Sequence, residues 1–227
     1  MKPWFLKHDY YLVRHAESTA NIQHLIVSDL KLGRESYGLT ETGNRQAAQC
    51  GQQLSNIINK KLNSDDKKSS EIVTILFSPF LRTKQTAQHI YNALTAKDIT
   101  VQIHLQEEEL LRERWFGDVE QTNSKNYNKI WESDIAFGKH HSMYNCESVQ
   151  SVLERVLTLI ETLEKKHVEK KTTFVLVSHG DTCQIAQTWF SDIEPHKHRF
   201  LTPIQNAEIR DLTKIAATAF ISSKSKL

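Results

Sequence analysis

Apolar residues in this chain follow two rhythms. Three short runs, YYLV (Tyr10–Val13), IVTILF (Ile72–Phe77) and TTFVLV (Thr172–Val177), are β-branched or aromatic almost without interruption. A strand apolar on both faces suits a parallel sheet covered on both sides, since a half-solvated strand would alternate. Elsewhere the period lengthens to that of a helix. FLRTKQTAQHIYNAL gathers Leu81, Ala87, Ile90, Tyr91 and Leu94 on one face, and SVQSVLERVLTLIETL gathers Val149, Val152, Val156, Ile160 and Leu163. A third helix is predicted from about Thr42 to Leu62. Ser78-Pro79 predicts a helix start, because a Ser side chain can cap free amides and Pro is tolerated at the first helical position. Together these predict an α/β fold: a three-layer sandwich with a mostly parallel sheet and helices on both faces.

Two segments break the rhythm. NSDDKKSS, residues 63–70, is charged and aperiodic and is expected to be an exposed loop. Residues 118–145 are polar and poorly periodic, and are expected to form a cap-like insertion over one end of the sheet. A chain of 227 residues supports one substantial core with such an insertion, so a single domain over 1–227 is expected. Lys and Arg total 29 against 27 for Asp and Glu, with the signs interspersed and no basic stripe, which argues against nucleic acid as a partner. Cys50, Cys146 and Cys183 are odd in number and far apart, so neither a disulfide framework nor a zinc site is predicted. No stretch approaches the roughly 18 apolar residues of a membrane helix, and MKPWFLKHDYYLV is too interrupted for a signal peptide. A soluble, cytoplasmic protein without a membrane partner is the expectation.

The ends of the apolar runs carry the chemistry. The first passes into Arg14-His15, the second into SPFLRT with Arg82 in the first helical turn, and the third into SHGDT with His179. In a doubly wound sheet the carboxyl ends of the parallel strands share one edge, where ligands bind. Two guanidinium forks, two imidazoles and nearby helix N-termini suit a dianionic oxygen cluster, with phosphate the obvious candidate. Turnover adds a nucleophile, which neutral imidazole can supply, and a proton donor for the leaving oxygen.

Five blocks in chain order, LVRHAESTAN, GLTETGNRQA, SPFLRTKQTA, LRERWFG and LVSHGDT, resemble the successive signatures of the histidine phosphatase superfamily, also called phosphoglycerate mutase-like. The resemblance runs from about Tyr10 to Glu208 and implies the fold of that family. It also implies roles. His15 resembles the family's nucleophilic histidine, phosphorylated in turnover, and Arg14, Arg82 and His179 resemble the residues that hold the phosphoryl group. Glu113 aligns with the acid that protonates the leaving group. Asn21 and Ser18, with Gly180 beside His179, stand where substrate or the nucleophile loop is supported. A backbone acceptor should then fix the His15 tautomer, and His179 should be protonated. Burial or anionic neighbours, Glu107, Glu108 and Glu109 being candidates, should raise the Glu113 pKa.

The implied activity is hydrolysis of a small phosphorylated substrate or a phosphoprotein, with no cofactor. A metal site from His15, Glu17 and His179 is conceivable, but paired arginines would repel a divalent cation, so metal-independent activity is expected. Ala16 departs from the family's usual Gly after the nucleophile, and should hold an ordinary backbone conformation. The mutase branch uses extra basic residues in the insertion. Between Asp118 and Asn145 there is no arginine, only Lys125, Lys129 and Lys139 with His140 and His141, which favours a phosphatase over a mutase. A catalytically silent phosphate-binding protein is the alternative of a different class, but binding alone would need neither the acid nor the nucleophile. Taken singly, His15 reads as a solvated strand-end histidine, Arg82 as a solvated helix residue and Glu113 as one exposed acid among several; the five blocks together outweigh those readings. His89, His104, His167, His196 and His198 are expected to be ordinary surface or core residues, and His140-His141 a solvated loop. The cysteines are expected to be packing residues, with Cys183 open to oxidation. Leaving-group recognition is left to the insertion and to Trp115, Phe116, Tyr127, Trp131 and Tyr144.

Overall fold

The computed structural model of the protein describes residues 6–62, 72–96, 101–167 and 170–224, so the loop predicted at 63–70 lies outside the described residues. Five strands, β1 (Asp9–Arg14), β2 (Ile72–Phe77), β3 (Gln102–Glu107), β4 (Thr172–Ser178) and β5 (Ile209–Asp211), form one sheet in the order β3-β2-β4-β1-β5. All neighbours are parallel except β5, which runs against β1. The three apolar runs are β1, β2 and β4, side by side at the centre, and β4 is buried at every residue. That position accounts for their unbroken apolarity. The outer strands escaped the same logic: QIHLQE in β3 is an edge strand with Gln102, His104 and Gln106 exposed, and β5 has only three residues.

Eight helices accompany the sheet among the described residues: α1 (Thr19–Ile22), α2 (Leu30–Glu35), α3 (Glu41–Leu62), α4 (Leu81–Thr95), α5 (Tyr127–Phe137), α6 (Val149–Lys166), α7 (Gly180–Phe190) and α8 (Leu212–Lys224). Alternate strand residues sort them into two layers. Tyr11, Val13, Val73, Ile75, Val175 and Val177 meet α3 and α4 through Ala47, Leu54, Ile58, Ala87, Ile90 and Leu94. Tyr10, Leu12, Leu76, Phe174 and Leu176 point the other way, onto Val156 and Ile160 of α6, Ala186 and Phe190 of α7, and Leu212 of α8. Each such buried Val, Leu, Ile or Phe contributes about 1.5–3 kcal/mol.

Two local expectations change. Ser78 does not cap α4: the helix starts at Leu81 after Phe80, whose side chain makes no cap bond, and the Ser78 hydroxyl lies instead 2.8 Å from His179 Nε2. Residues 118–145 are more ordered than their polarity implied, since they contain α5. Its inward face includes Ser133 and Asp134 beside Ile130, so burial there leaves little apolar periodicity to detect.

Candidate active site

Because β1, β4 and β2 are neighbours in register, with Arg14 opposite Ser178 and Phe77 opposite Val177, their carboxyl ends coincide. His15 follows β1 and its amide donates to the Ser178 carbonyl at 2.8 Å. The next amide, Ala16, donates to Thr86 Oγ1 (3.1 Å), whose hydroxyl donates on to the Arg82 carbonyl (2.7 Å), so α4 holds the His15 loop and Arg82 with one side chain. Ala16 is buried and stays outside the positive-φ region, as expected of an alanine there. From beneath, the Ala207 amide donates to the Arg14 carbonyl (3.1 Å) and Asn206 Nδ2 to that of His15 (3.1 Å).

These ends open into a cavity of about 450 Å³ lined by Arg14, His15, Asn21, Arg82, Glu113 and Gly180, together with Tyr127, Trp131, Asp181, Gln184, Arg199 and others. Two expected site residues lie behind its wall. Ser18 is fully buried and gives both its hydroxyl and its amide to Asn21 Oδ1, at 3.0 and 2.9 Å. His179 is also fully buried, with its ring centroid 5.3 Å from that of His15. Gly180 lets Arg14 pass close by, since a Cβ there would sit 3.3 Å from Arg14 Nε.

The protonation states follow from the partners. His15 Nδ1 is 2.7 Å from the Ala16 carbonyl, which can only accept, so Nδ1 carries the proton and Nε2 keeps its lone pair. Burial, then Arg82 and Arg14, push the His15 pKa well below the ordinary histidine value. His179 corrects an expectation: it is neutral. Arg82 Nε (3.3 Å) and Nη2 (3.1 Å) both donate to its Nδ1, which leaves the Nε2 proton for the Ser78 hydroxyl. Burial, with Arg82 and His15, drives its pKa down. Glu113 is raised to about 7, first by burial and then by the Asp181 charge. Glu107, Glu108 and Glu109, named for that effect, are not among its main causes; Glu107 pairs with Arg34 (2.8 Å) and Glu108 accepts from the Leu110 amide (3.0 Å). Glu113 Oε1 accepts from the Arg114 amide (2.9 Å) and Thr182 Oγ1 (3.2 Å), so Oε2 is the oxygen free to hold a proton.

Neither Arg14 nor Arg82 has an ion pair among the described residues. Arg14 Nη1 donates to the Ile204 carbonyl (2.9 Å) and Arg82 Nη2 to that of Val27 (2.8 Å). Arg14 Nε and Arg82 Nη1 are buried and have no hydrogen-bond partner among the described residues. Two arginines in one cavity wall, Arg82 buried and Arg14 half-buried, each with a buried donor left over, call for an oxyanion. The third member of the conceivable metal set, Glu17, faces away, accepting from Thr40 Oγ1 at 2.6 Å.

Several residues play parts that the sequence did not assign them. Asp181 accepts from Arg114 Nη1 (3.2 Å) and Trp131 Nε1 (2.9 Å) and pairs with His198 Nε2 (3.1 Å). Burial alone would raise Asp181, but His198, Arg114 and Arg199 hold its carboxyl well below the usual carboxylate range. Arg114 also forks onto Asp134 at 2.7 and 2.8 Å, and Asp134 meets His141 Nε2 at 2.6 Å. His141 is thus part of a buried polar network and not a solvated loop residue. Cys183 is buried with its thiol 3.9 Å from the Val13 carbonyl and its pKa pushed up by burial, which leaves no exposed thiolate to oxidise. Of the five aromatics named for the leaving group, Tyr127 and Trp131 line the cavity; Trp115, Phe116 and Tyr144 do not. Arg199 is invisible to motif reading because it lies in a short 3-10 helix, Pro195–Phe200, outside the five blocks.

A sheet of this topology, with two arginines and two histidines at its carboxyl edge, matches a known family. The model of the histidine phosphatase superfamily (branch 1) covers residues 10–217, and the chain belongs to that superfamily. No curated protein matches it in sequence. Among solved structures it is similar to a mycobacterial glucosyl-3-phosphoglycerate phosphatase (TM-score 0.66, 17% identity, 89% of each chain covered). It is also similar to the product of an open reading frame from Mycobacterium tuberculosis (0.63, 21%, 89% of each). The α-ribazole phosphatase from Shigella flexneri gives 0.57 and 20% identity, with 88% of each chain covered. At these identities the likeness is one of fold.

Proposed function

We propose that the protein is a phosphomonoester hydrolase that works through a phosphohistidine on His15. The observation that carries this reading is the pair of orphaned buried guanidinium donors, Arg14 Nε and Arg82 Nη1, in the wall that also presents His15. They receive the phosphoryl oxygens and neutralise charge through in-line displacement. His15 Nε2 attacks phosphorus, the ester P–O bond breaks, and the leaving oxygen takes the proton from Glu113. Water then attacks the phosphohistidine, giving its proton to the Glu113 carboxylate as the P–N bond breaks. Phosphate leaves, and His15 and Glu113 return to their starting states. His179 acts uncharged, as the acceptor that aims Arg82, and Ser18 acts through Asn21. No step uses a metal ion.

Hydrolysis is favoured over mutase transfer because Lys125, Lys129 and Lys139 of the insertion do not line the cavity, and Lys139 is paired with Glu194 at 3.1 Å. The phosphatases among the similar structures support the same choice. We take residues 1–227 as one domain whose 118–145 segment caps the site, and the protein as cytoplasmic. No helix among the described residues is long and apolar enough to cross a membrane. The test is incubation with 4-nitrophenyl phosphate: phosphate release is expected, acid-labile label should be trapped on the wild-type chain by rapid quench, and both should vanish in His15→Ala. Turnover surviving in His15→Ala would overturn the mechanism.

A further inference from the structure

Asp181 carries the wrong sign for its place. It lines the cavity that receives the phosphoryl group, and the side chains that meet it are all donors: Trp131 Nε1 (2.9 Å) and His198 Nε2 (3.1 Å) on Oδ1, Arg114 Nη1 (3.2 Å) on Oδ2. A proton on Asp181 would find no acceptor there, so the group is a fixed carboxylate. A fixed anion beside a phosphate site opposes substrate binding, and its presence calls for a compensating role. Resting on the phosphatase reading, we propose that Asp181 and its buried partner His198 are positioning residues of the reaction, an ion pair whose field keeps the proton on Glu113 until the ester oxygen takes it.

Hydrogen bonds fix the pair against Glu113. Thr182 Oγ1 lies within donating distance of both the Arg112 carbonyl (3.0 Å) and Glu113 Oε1 (3.2 Å), while Arg114 reaches back to Asp181, so residues 112–114 and 181–182 are laced together. His198 Nδ1 is 3.1 Å from the Pro195 carbonyl and Nε2 faces Asp181; both partners only accept, so both nitrogens carry protons and the ring is an imidazolium. His198 and Arg114 are fully buried and stand outside the cavity lining, whereas Asp181 is in it. The pair therefore turns its negative end to the cavity and its positive end to the core. The other groups around Glu113 do not supply that field. Arg82 of α4 opposes it. His179 Nδ1, 4.0 Å from Oε2, belongs to a neutral ring, and Tyr127 of α5 and Cys183 of α7 are kept uncharged by burial. Arg155 of α6 is neutralised by Glu147 at 2.9 and 3.1 Å, and Arg14 on the same cavity wall is a further cation.

The test is the pH dependence of kcat/KM for butyl phosphate in wild type, Glu113→Gln, Asp181→Asn and His198→Gln. Wild type should lose activity as pH rises through about 7, and Glu113→Gln should lack that limb. Asp181→Asn removes the negative charge, so the limb should move to lower pH by about one unit, a loss of roughly tenfold in kcat/KM on its alkaline side. His198→Gln keeps a donor on Asp181 but strips the countercharge. Arg114 still holds Asp181 ionised, more of its field reaches Glu113, and the limb should move the opposite way, to higher pH. Shifts of opposite sign cannot come from general damage, which would lower the whole profile and leave the limb in place. His198→Gln also serves if Asp181→Asn folds poorly. A limb unmoved in either folded variant, or moved in the same direction in both, would overturn the inference while leaving the phosphatase reading intact, provided that the wild-type limb disappears in Glu113→Gln. A wild type inert on both butyl phosphate and 4-nitrophenyl phosphate would instead overturn the phosphatase reading, and this inference with it.

Discussion

Glu113 has to keep a proton that water would ordinarily remove from a carboxylic acid near neutrality. Burial and the Asp181 charge move its pKa to about 7 against the pull of Arg82, so in the free protein the acid form dominates below that value and is lost above it. The departing oxygen needs the acid form, so kcat/KM for an alkyl monophosphate should fall as pH rises through about 7. A bound phosphoryl dianion adds negative charge beside Glu113 and should shift the same limb of kcat to higher pH. His15 does not contribute to that limb, since its depressed pKa keeps it neutral throughout. Glu113→Gln should abolish the limb and cost roughly 10²–10⁴ in kcat/KM, which reports the step that breaks the ester bond, on alkyl monophosphates, but far less in kcat/KM on 4-nitrophenyl phosphate, whose phenolate leaves unprotonated. A full pH–rate profile on both substrates checks this, and equal losses on the two would exclude the proton-donor role. His15, Arg14, Arg82 and Glu113 were legible because each sits in a block with its own local pattern. The neutrality of His179 was not, because it depends on an Arg82 guanidinium that only the folded chain brings to its Nδ1.

The loop after β1 is shaped by the helices around it. Gly43 near the start of α3 passes so close to this loop that an added Cβ would fall 1.9 Å from the Glu17 carbonyl oxygen, a backbone atom that cannot swing aside. Gly43→Ala must therefore push either α3 or the His15–Glu17 loop, and should destabilise the protein by about 1–3 kcal/mol. It should also lower kcat on 4-nitrophenyl phosphate, because Ala16 and His15 precede the displaced carbonyl. Thermal denaturation and kcat together check this; a loss of stability with unchanged kcat would show that α3 alone gives way. The glycine stands inside GLTETGNRQA, so its block was recognisable while its reason was not. Similar limits apply to whole elements. Continuous apolarity revealed β1, β2 and β4 because both of their faces are covered, whereas β3 at the edge and α5 with its partly polar inward face expose or pair what periodicity would need to be apolar.

On the scale of the molecule, the 118–145 segment, which contributes Ser124, Tyr127 and Trp131 to the cavity lining, is tied to α7 by charge as well as by packing. Arg114, fully buried, joins Asp134 of α5 to Asp181 at the start of α7 and donates from Nε to the Glu147 carbonyl at 2.8 Å. Ile26, Phe116, Val119, Ile130 and Cys146 form only a small apolar cluster beneath the same segment. No pattern in 118–145 announced this, since Arg114 carried no role of its own within LRERWFG and Asp134 lies in an aperiodic stretch. Removing one member of a buried ion network strands the others without compensation, at about 3–5 kcal/mol. Arg114→Met should therefore lower Tm by roughly 6–20 °C for a chain of this length. Removing the stranded partner as well should recover part of the loss, so Arg114→Met with Asp134→Leu should be more stable than the sum of the single changes predicts. The same network seats Trp131 through Asp181, and Trp131 seats Arg199. In the folded double variant, KM for alkyl monophosphates should then rise even though every cavity-lining side chain is intact, while a network that served only stability would leave KM untouched.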